Sequence, residues 1–175
     1  MVEITVLRLN HRPSRDKRLT THLALAARAL GAQKLVYSGI KDKSLETSIY
    51  KIVENWGGSF EILFSGNHMK MIHAWEGPKI HLTMYGLPFQ EVITDIQKGI
   101  KDLLLIVGGP KVNGEIFSVV DLNLSVTNQP HSEVSALALF LHEFFNGKEL
   151  DIIHRNYKIK IIPSVNCKKV KRGEY

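Results

Sequence analysis

Leu103–Asn113 reads LLLIVGGPKVN: five apolar residues run into a Gly-Gly-Pro turn, with Lys111 and Asn113 close behind. A continuous apolar run of strand length, with no polar residue in alternate positions, predicts a strand buried on both faces, as in the interior of a parallel sheet. A strand followed at once by glycines also opens several phosphate and nucleotide sites. The same stretch therefore bears on the fold and on a ligand.

Elements of alternating type flank it. EITVLRL (3–9) predicts a buried strand, and 16–30 a helix with Leu19, Leu23, Ala26, Ala27 and Leu30 on one face, closed by Gly31. KLVYSG (34–39) gives a second strand, and LETSIYKIVENW (45–56) a second helix ended by Gly57-Gly58. SFEILFS (59–65) and KIHLTMYG (79–86) give the third and fourth strands, and Pro88 opens a helix through roughly Lys98. LLLIV is the fifth strand, VVDLNLSV (119–126) the sixth, and SEVSALALFLHEFF (132–145) a long apolar final helix. Strands separated by helices at this spacing predict an α/β fold, a mainly parallel sheet with helices on both faces.

The chain has 175 residues, 44% of them hydrophobic, which suits one globular domain with at most a small appendage. A single cysteine, Cys167, excludes an internal disulfide framework. The first residues form no signal peptide, and no stretch approaches membrane-spanning length, so the expected setting is the cytoplasm. The net charge of +6 is unevenly spread. Residues 1–18 carry five basic against two acidic groups, residues 151–175 seven against two, and the middle is slightly acidic. Positive ends on an acidic body suit a polyanion such as RNA or DNA, with a tail that only aids solubility as the alternative.

The glycine turn fits no standard phosphate loop. GGPKVNG lacks the Lys-Ser/Thr pair after its last glycine, and it lies too late in the chain for a dinucleotide-binding fingerprint. The eight histidines form no HExxH pattern and one cysteine forms no cluster, so no metal is expected. His68 and His73 are read as surface residues flanking a loop, and a nucleophilic role for Cys167 in a lysine-rich tail is remote. Val126–Leu141, VTNQPHSEVSALALFL, is more informative. A polar loop leads through Ser132, a plausible cap, into a helix apolar around most of its circumference, and such a helix is buried on more than one side. A subunit interface and a deep core position both explain it.

Three segments in order, RLNHRPSRDKRLTTHLALAARALGA, LLLIVGGPKVNG and NLSVTNQPHSEVSALALFLHEF, resemble the motifs of the SPOUT class of knotted RNA methyltransferases. More narrowly, the chain resembles the archaeal tRNA (cytidine-56) 2′-O-methyltransferase family over essentially its whole length. The resemblance implies that residues 1–150 form a methyltransferase domain with a C-terminal deep trefoil knot, an exception to the rule that chains do not thread loops. Residues 151–175 would form a basic C-terminal extension. It implies S-adenosylmethionine as cofactor and methyl transfer to a ribose 2′-hydroxyl in the T-loop of tRNA, without a metal. It also implies a homodimer paired through the knot.

Carried onto this sequence, the cofactor loops are Leu82, Thr83 and Met84; then Gly108, Gly109, Pro110, Lys111, Val112, Asn113 and Gly114; then Asn128, Gln129, Pro130, His131, Ser132, Glu133, Val134 and Ser135. Arg18 and His22, one turn apart on the first helix, are the candidates for proton handling. Phosphate contact for Arg18 and simple exposure for His22 are the alternatives. Arg12, Arg15, Lys168, Lys169, Lys171 and Arg172 are candidates for RNA contact. Two positions depart from the wider class. Leu25 stands where relatives that methylate riboses often carry an arginine, and Glu133 stands where the third motif has asparagine. A same-fold RNA-binding protein without catalysis, and methylation of another tRNA or rRNA nucleotide, are the competing functions.

Overall fold

The structure is a computed structural model that describes residues 2–98, 102–109 and 112–173. Six strands form one sheet: β1 (Glu3–His11), β2 (Lys34–Gly39), β3 (Glu61–Phe64), β4 (Lys79–Pro88), β5 (Asp102–Val107) and β6 (Leu122–Ser125). Their order is β3-β2-β1-β5-β4-β6 and every neighbouring pair is parallel. The central strand β5 shows why its sequence is apolar throughout. Leu103, Leu105 and Val107 join Ile4 and Val6 in the larger core on one face, and Leu104 and Ile106 join Leu7 and Leu9 in a smaller core on the other.

The larger core is covered by α1 (Pro13–Ala29), α2 (Lys43–Trp56) and α6 (Glu133–Phe145), and the smaller by α3 (His68–Ala74) and α5 (Gly114–Val119). Pro13 starts α1 at the position where a missing N–H costs nothing. The helix that the sequence predicts from Pro88 to Lys98 does not form as one piece. Pro88 pairs with Ser125 as the last residue of β4, a 3₁₀ turn covers Phe89–Glu91, and α4 is only Ile93–Ile96. The β-branched run Val92-Ile93-Thr94 disfavours a longer helix, and burial of Phe89 and Ile96 fixes the two short turns instead. His68 and His73 do not flank a loop. Both lie in α3, which Asn67 caps by accepting from the Lys70 N–H.

Asp42 organises the edge where β1 and β2 end. Its Oδ1 accepts from the backbone N–H groups of Ser44 and Leu45 and from the Ser44 hydroxyl, capping α2. Its Oδ2 lies 3.4 Å from Nε2 of His11, whose Nδ1 is 2.9 Å from the Thr20 hydroxyl on α1. Burial opposes the charged carboxylate, but these hydrogen bonds outweigh it and bring the Asp42 pKa down to about 2. A folded-state pKa below the unfolded value stabilises above the ordinary carboxylate range, and that stabilisation is lost as pH falls toward 2. Asp42→Ala is therefore expected to cost about 1–2 kcal/mol in urea unfolding near neutral pH. The gap to the parent chain should narrow in acid; a gap that is constant with pH would contradict the assignment.

The basic C-terminal segment is built, not trailing. β7 (Ile159–Ile162) and β8 (Lys169–Arg172) form an antiparallel hairpin. It docks on the end of α2: Gly58 N–H donates to the Arg155 carbonyl (2.9 Å), Lys158 N–H to the Asn55 carbonyl (2.9 Å), and the Lys158 ammonium pairs with Glu54. α2 ends just before β3 begins, so the hairpin sits at the edge where the strands start, opposite the edge reached by the glycine turn. Among the described residues no helix is long and apolar enough to cross a membrane.

Candidate active site

Where β4, β5 and β6 end, a cavity of about 590 Å³ opens, within the range of small-molecule sites. Its first wall is a bulge. Leu82 and Leu87 both pair with Leu124, so Thr83, Met84, Tyr85 and Gly86 are extra residues pushed out of the ladder. Gly86 permits this, because a Cβ there would stand 2.5 Å from the backbone of Asn123 and Leu124. Asn128 then ties the third loop to the first: its Nδ2 donates to the carbonyls of Met84 (2.7 Å) and Gly86 (3.1 Å).

His81 faces the cavity from β4, with its Nδ1 2.9 Å from Asn123 Oδ1 and its ring edge-on to Phe117. The Asn123 amide nitrogen donates to the Phe117 carbonyl, which assigns Oδ1 as the acceptor of the His81 Nδ1–H. Burial lowers the His81 pKa more than this hydrogen bond raises it, so the ring is neutral near pH 7.

The second wall is the end of β5. A Cβ on Gly108 would lie 2.0 Å from Val112 Cγ2, and one on Gly109 would lie 3.3 Å from both terminal nitrogens of Arg8. Beneath this turn Arg8 is 1% exposed, in phase with Ile4 and Val6 on β1. Its Nε and Nη1 have no hydrogen-bond partner among the described residues. Nη1 is 4.0 Å from Glu133 Oε1, the outer limit of an ion pair. Burial pushes the guanidinium pKa down, partly offset by the charges of Glu133 and Asp16. Even so lowered, an arginine in a protein keeps its proton. Glu133 is the first residue of α6, and Ser132 before it caps the helix by accepting from the Val134 N–H (3.2 Å).

Of the residues predicted for the cofactor, Leu82, Thr83, Met84, Gly108, Gly109, Val112, Pro130, His131 and Glu133 line this cavity. Asn113 caps α5 and Gly114 opens it. Asn128, Ser132 and Ser135 shape the third loop through hydrogen bonds, Val134 packs against the core, and Gln129 is exposed away from the cavity. Pro110 and Lys111 lie outside the described residues. Arg18 and His22 are exposed on α1 and do not line the cavity of their own chain. Arg12 is held by Asp16 in a two-point contact (2.7 and 3.1 Å), and Arg15 is exposed. Lys168, Lys169, Lys171 and Arg172 are exposed on the hairpin segment at the far edge.

Sequence reading missed Arg8, His81, Tyr85 and Phe117. For Arg8 a signal existed, since the alternation of EITVLRL sets it on the face of Ile4 and Val6. The apolar helix α6 resolves as core on one face, through Ala136, Leu137, Phe140, Leu141 and Phe144. Ser135 and Leu139 stay exposed, with Ala138 half-buried between them. No group of three or more metal-ligand side chains is gathered among the described residues.

Residues 56–171 match the family described as tRNA ribose 2′-O-methyltransferase, aTrm56. The chain is 45% identical over 170 residues to the tRNA (cytidine(56)-2′-O)-methyltransferase of Methanothermobacter thermautotrophicus, covering 95% of each chain. It is 47% identical over 174 residues to the enzyme of the same name from Methanosphaera stadtmanae, covering 98% of this chain and 99% of the relative. Among solved structures, it is similar to the TrmH/SpoU tRNA modifying enzyme of A. aeolicus, with a TM-score of 0.61 at 16% identity, covering 86% of this chain and 78% of that one. It is also similar to the SpoU methyltransferase AviRb of Streptomyces viridochromogenes in complex with AdoMet. There the TM-score is 0.56 at 14% identity, with 84% of this chain and 58% of that one covered. At these identities the structural likeness shows a shared fold.

Proposed function

The chain belongs to the tRNA ribose 2′-O-methyltransferase family, and from that premise we propose that it methylates the 2′-hydroxyl of cytidine 56 in tRNA, with S-adenosylmethionine as donor. The observation that carries this reading is the three-walled cavity at the strand ends, formed by the β4 bulge, the glycine turn and the loop that Asn128 fastens to the bulge. The residues fit the cofactor. Gly108 and Gly109 leave open the space that side chains would fill, and the bulge turns backbone groups of residues 83–86 out of the sheet ladder, where those that Asn128 does not engage can read a base. Leu82–Met84, Gly108–Gly109 and Pro130–Glu133 would hold it. When bound, S-adenosylmethionine supplies a methyl group on a sulfonium, already activated for transfer.

The protein supplies the positioning and proton handling. Neutral His81 offers an unprotonated Nε2, and the Arg8–Glu133 pair sets the charge beneath the glycine turn. Arg18 and His22 lie on the exposed face of α1, so we assign them to the cavity of a second copy. The strip Ser135, Ala138 and Leu139 on α6 supports a homodimer, because small residues allow close approach and Leu139 is 49% exposed. We read the C-terminal part of residues 1–150 as a trefoil knot. The placement of β6 outside β4, followed by the return of α6 against α1, supports that path. The hairpin of the basic extension is assigned to the tRNA backbone, and the cytoplasm is the compartment where the enzyme meets its substrate. Lys160 and Lys171 stand directly opposite each other on the hairpin, a pairing that costs stability until an anion neutralises it.

Co-expression of an Arg18→Ala chain with a Gly109→Leu chain tests the shared site. Each variant alone is expected to be inactive in methyl transfer to tRNA, and the mixed dimer is expected to regain activity through its one intact site. Mixed dimers that form and stay inactive would contradict the assignment of Arg18 to the second copy.

A further inference from the structure

A second cavity, of about 460 Å³, lies at the strand-start edge between the end of α2, residues 152–157 and β7. Its wall includes Trp56, Ile153, His154, Tyr157 and Ile161. Two of these are large apolar side chains left unusually open, Ile153 at 73% and Ile161 at 60% exposure. The wall is also fixed in place. Arg28 donates to the carbonyls of Trp56 (3.1 Å) and Gly57 (2.6 Å), and the backbone bonds of Gly58 and Lys158 hold residues 155–158 against α2. Preformed apolar and aromatic surface of this kind is a stacking platform for a planar group.

The hairpin says which planar group. Register places Ile159, Ile161, Val170 and Arg172 on one face, with Ile159 and Ile161 on the cavity, and Lys160, Ile162, Lys169 and Lys171 on the other. Lys160 crosses to the rim, its Nζ 5.7 Å from the centre of the Tyr157 ring. An apolar-aromatic slot with Lys160 on its rim, and Lys169 and Lys171 on the other face of the same hairpin, matches a base attached to a phosphate backbone. A second copy of this chain fits poorly, because it would bring the same excess of positive charge against this one.

We propose that this slot holds an unstacked nucleobase of the bound RNA, distinct from the nucleotide being methylated. Strands of six residues separate it from the cofactor cavity, about 20 Å, so one nucleotide cannot occupy both places in one chain. The proposal rests on the reading that tRNA is the substrate. It adds that recognition is bipartite: a ribose at the strand-end cavity and a base at the hairpin, tied to one rigid sheet. Such an enzyme measures the spacing of two nucleotides in a folded RNA.

The test uses the full chain with unmodified tRNA transcript. In a Trp75→Phe background Trp56 is the sole tryptophan, and tRNA is expected to quench its emission. Ile153→Glu and Tyr157→Leu, neither near the cofactor cavity, should each weaken tRNA binding about 10- to 100-fold. The slope of log K against log salt should stay the same in the uncharged Tyr157→Leu, whereas Lys171→Ala should reduce its magnitude by about 0.7–0.9. Circular dichroism melts and cofactor calorimetry establish that each variant is intact. Absence of quenching, with tRNA affinity unchanged in both variants while the parent chain still methylates, overturns the slot alone. A dimer lost on Ile153→Glu in ultracentrifugation also overturns it, by making the patch a contact between copies. A parent chain that neither binds nor methylates tRNA overturns the substrate reading beneath it.

Discussion

Gly109→Leu is expected to abolish S-adenosylmethionine binding, by upwards of ~100-fold, while the chain remains folded. The added Cβ already stands 3.3 Å from both terminal nitrogens of Arg8, so the rest of the side chain has only the cavity to enter. Gly109 is not among the residues with positive φ, so the backbone itself accepts leucine without strain. The fold should survive because the turn lies beyond the last residue of β5 and only the end of the Arg8 side chain has to yield, by a few tenths of an ångström. Calorimetric titration with the cofactor beside a urea melt separates the two effects. Cofactor affinity unchanged by Gly109→Leu would remove the glycine turn from the site.

Arg8→Met is expected to leave stability unchanged or raise it, and yet to cost at least about tenfold in methyl transfer. Arg8 is a fully buried cation whose Nε and Nη1 lack partners among the described residues and whose Nη1 is 4.0 Å from the Glu133 carboxylate. A pair of this geometry recovers little of its desolvation cost, and replacing buried charges by apolar groups of similar volume is often neutral or stabilising by 1–4 kcal/mol. Glu133 is not trapped by the change, since its side chain is 23% exposed and can turn to water. The place of Arg8 directly beneath the Gly108–Gly109 turn ties it to the cavity rather than to the stability of the core. We assign Arg8 a positioning role, at the underside of the Gly108–Gly109 turn and the start of α6. A split between KM for the cofactor and kcat distinguishes this from a packing role. A destabilised Arg8→Met chain with normal transfer would contradict it.

The architecture was legible in the sequence because burial on two faces leaves a mark on composition. LLLIV has no polar position because β5 has no exposed face, and the helix ends at Gly31 and Gly57 follow from local turn chemistry. Short elements left less trace. α3 and α5 have seven and six residues, too few for an apolar period to show, and the turn over 89–96 was decided by where Phe89 and Ile96 could be buried. The loops around the cavity were placed by the resemblance, and nine of the eighteen residues named for them line it. The structure does not bring Arg18 and His22 there within one chain, because α1 turns them outward. His81 escaped notice since a histidine within a strand has no distinguishing pattern until its Asn123 and Phe117 partners are seen. The hairpin was invisible as a structure, because its lysine-rich strands read as a solvated tail.

The most direct measurement is methyl transfer from labelled S-adenosylmethionine to an unmodified tRNA transcript, followed by nuclease mapping of the labelled nucleotide. The expected result is label on the ribose of cytidine 56 and none on a transcript that carries 2′-deoxycytidine at that position. Label at any other nucleotide, or transfer that persists to the deoxy transcript, would contradict the proposed function.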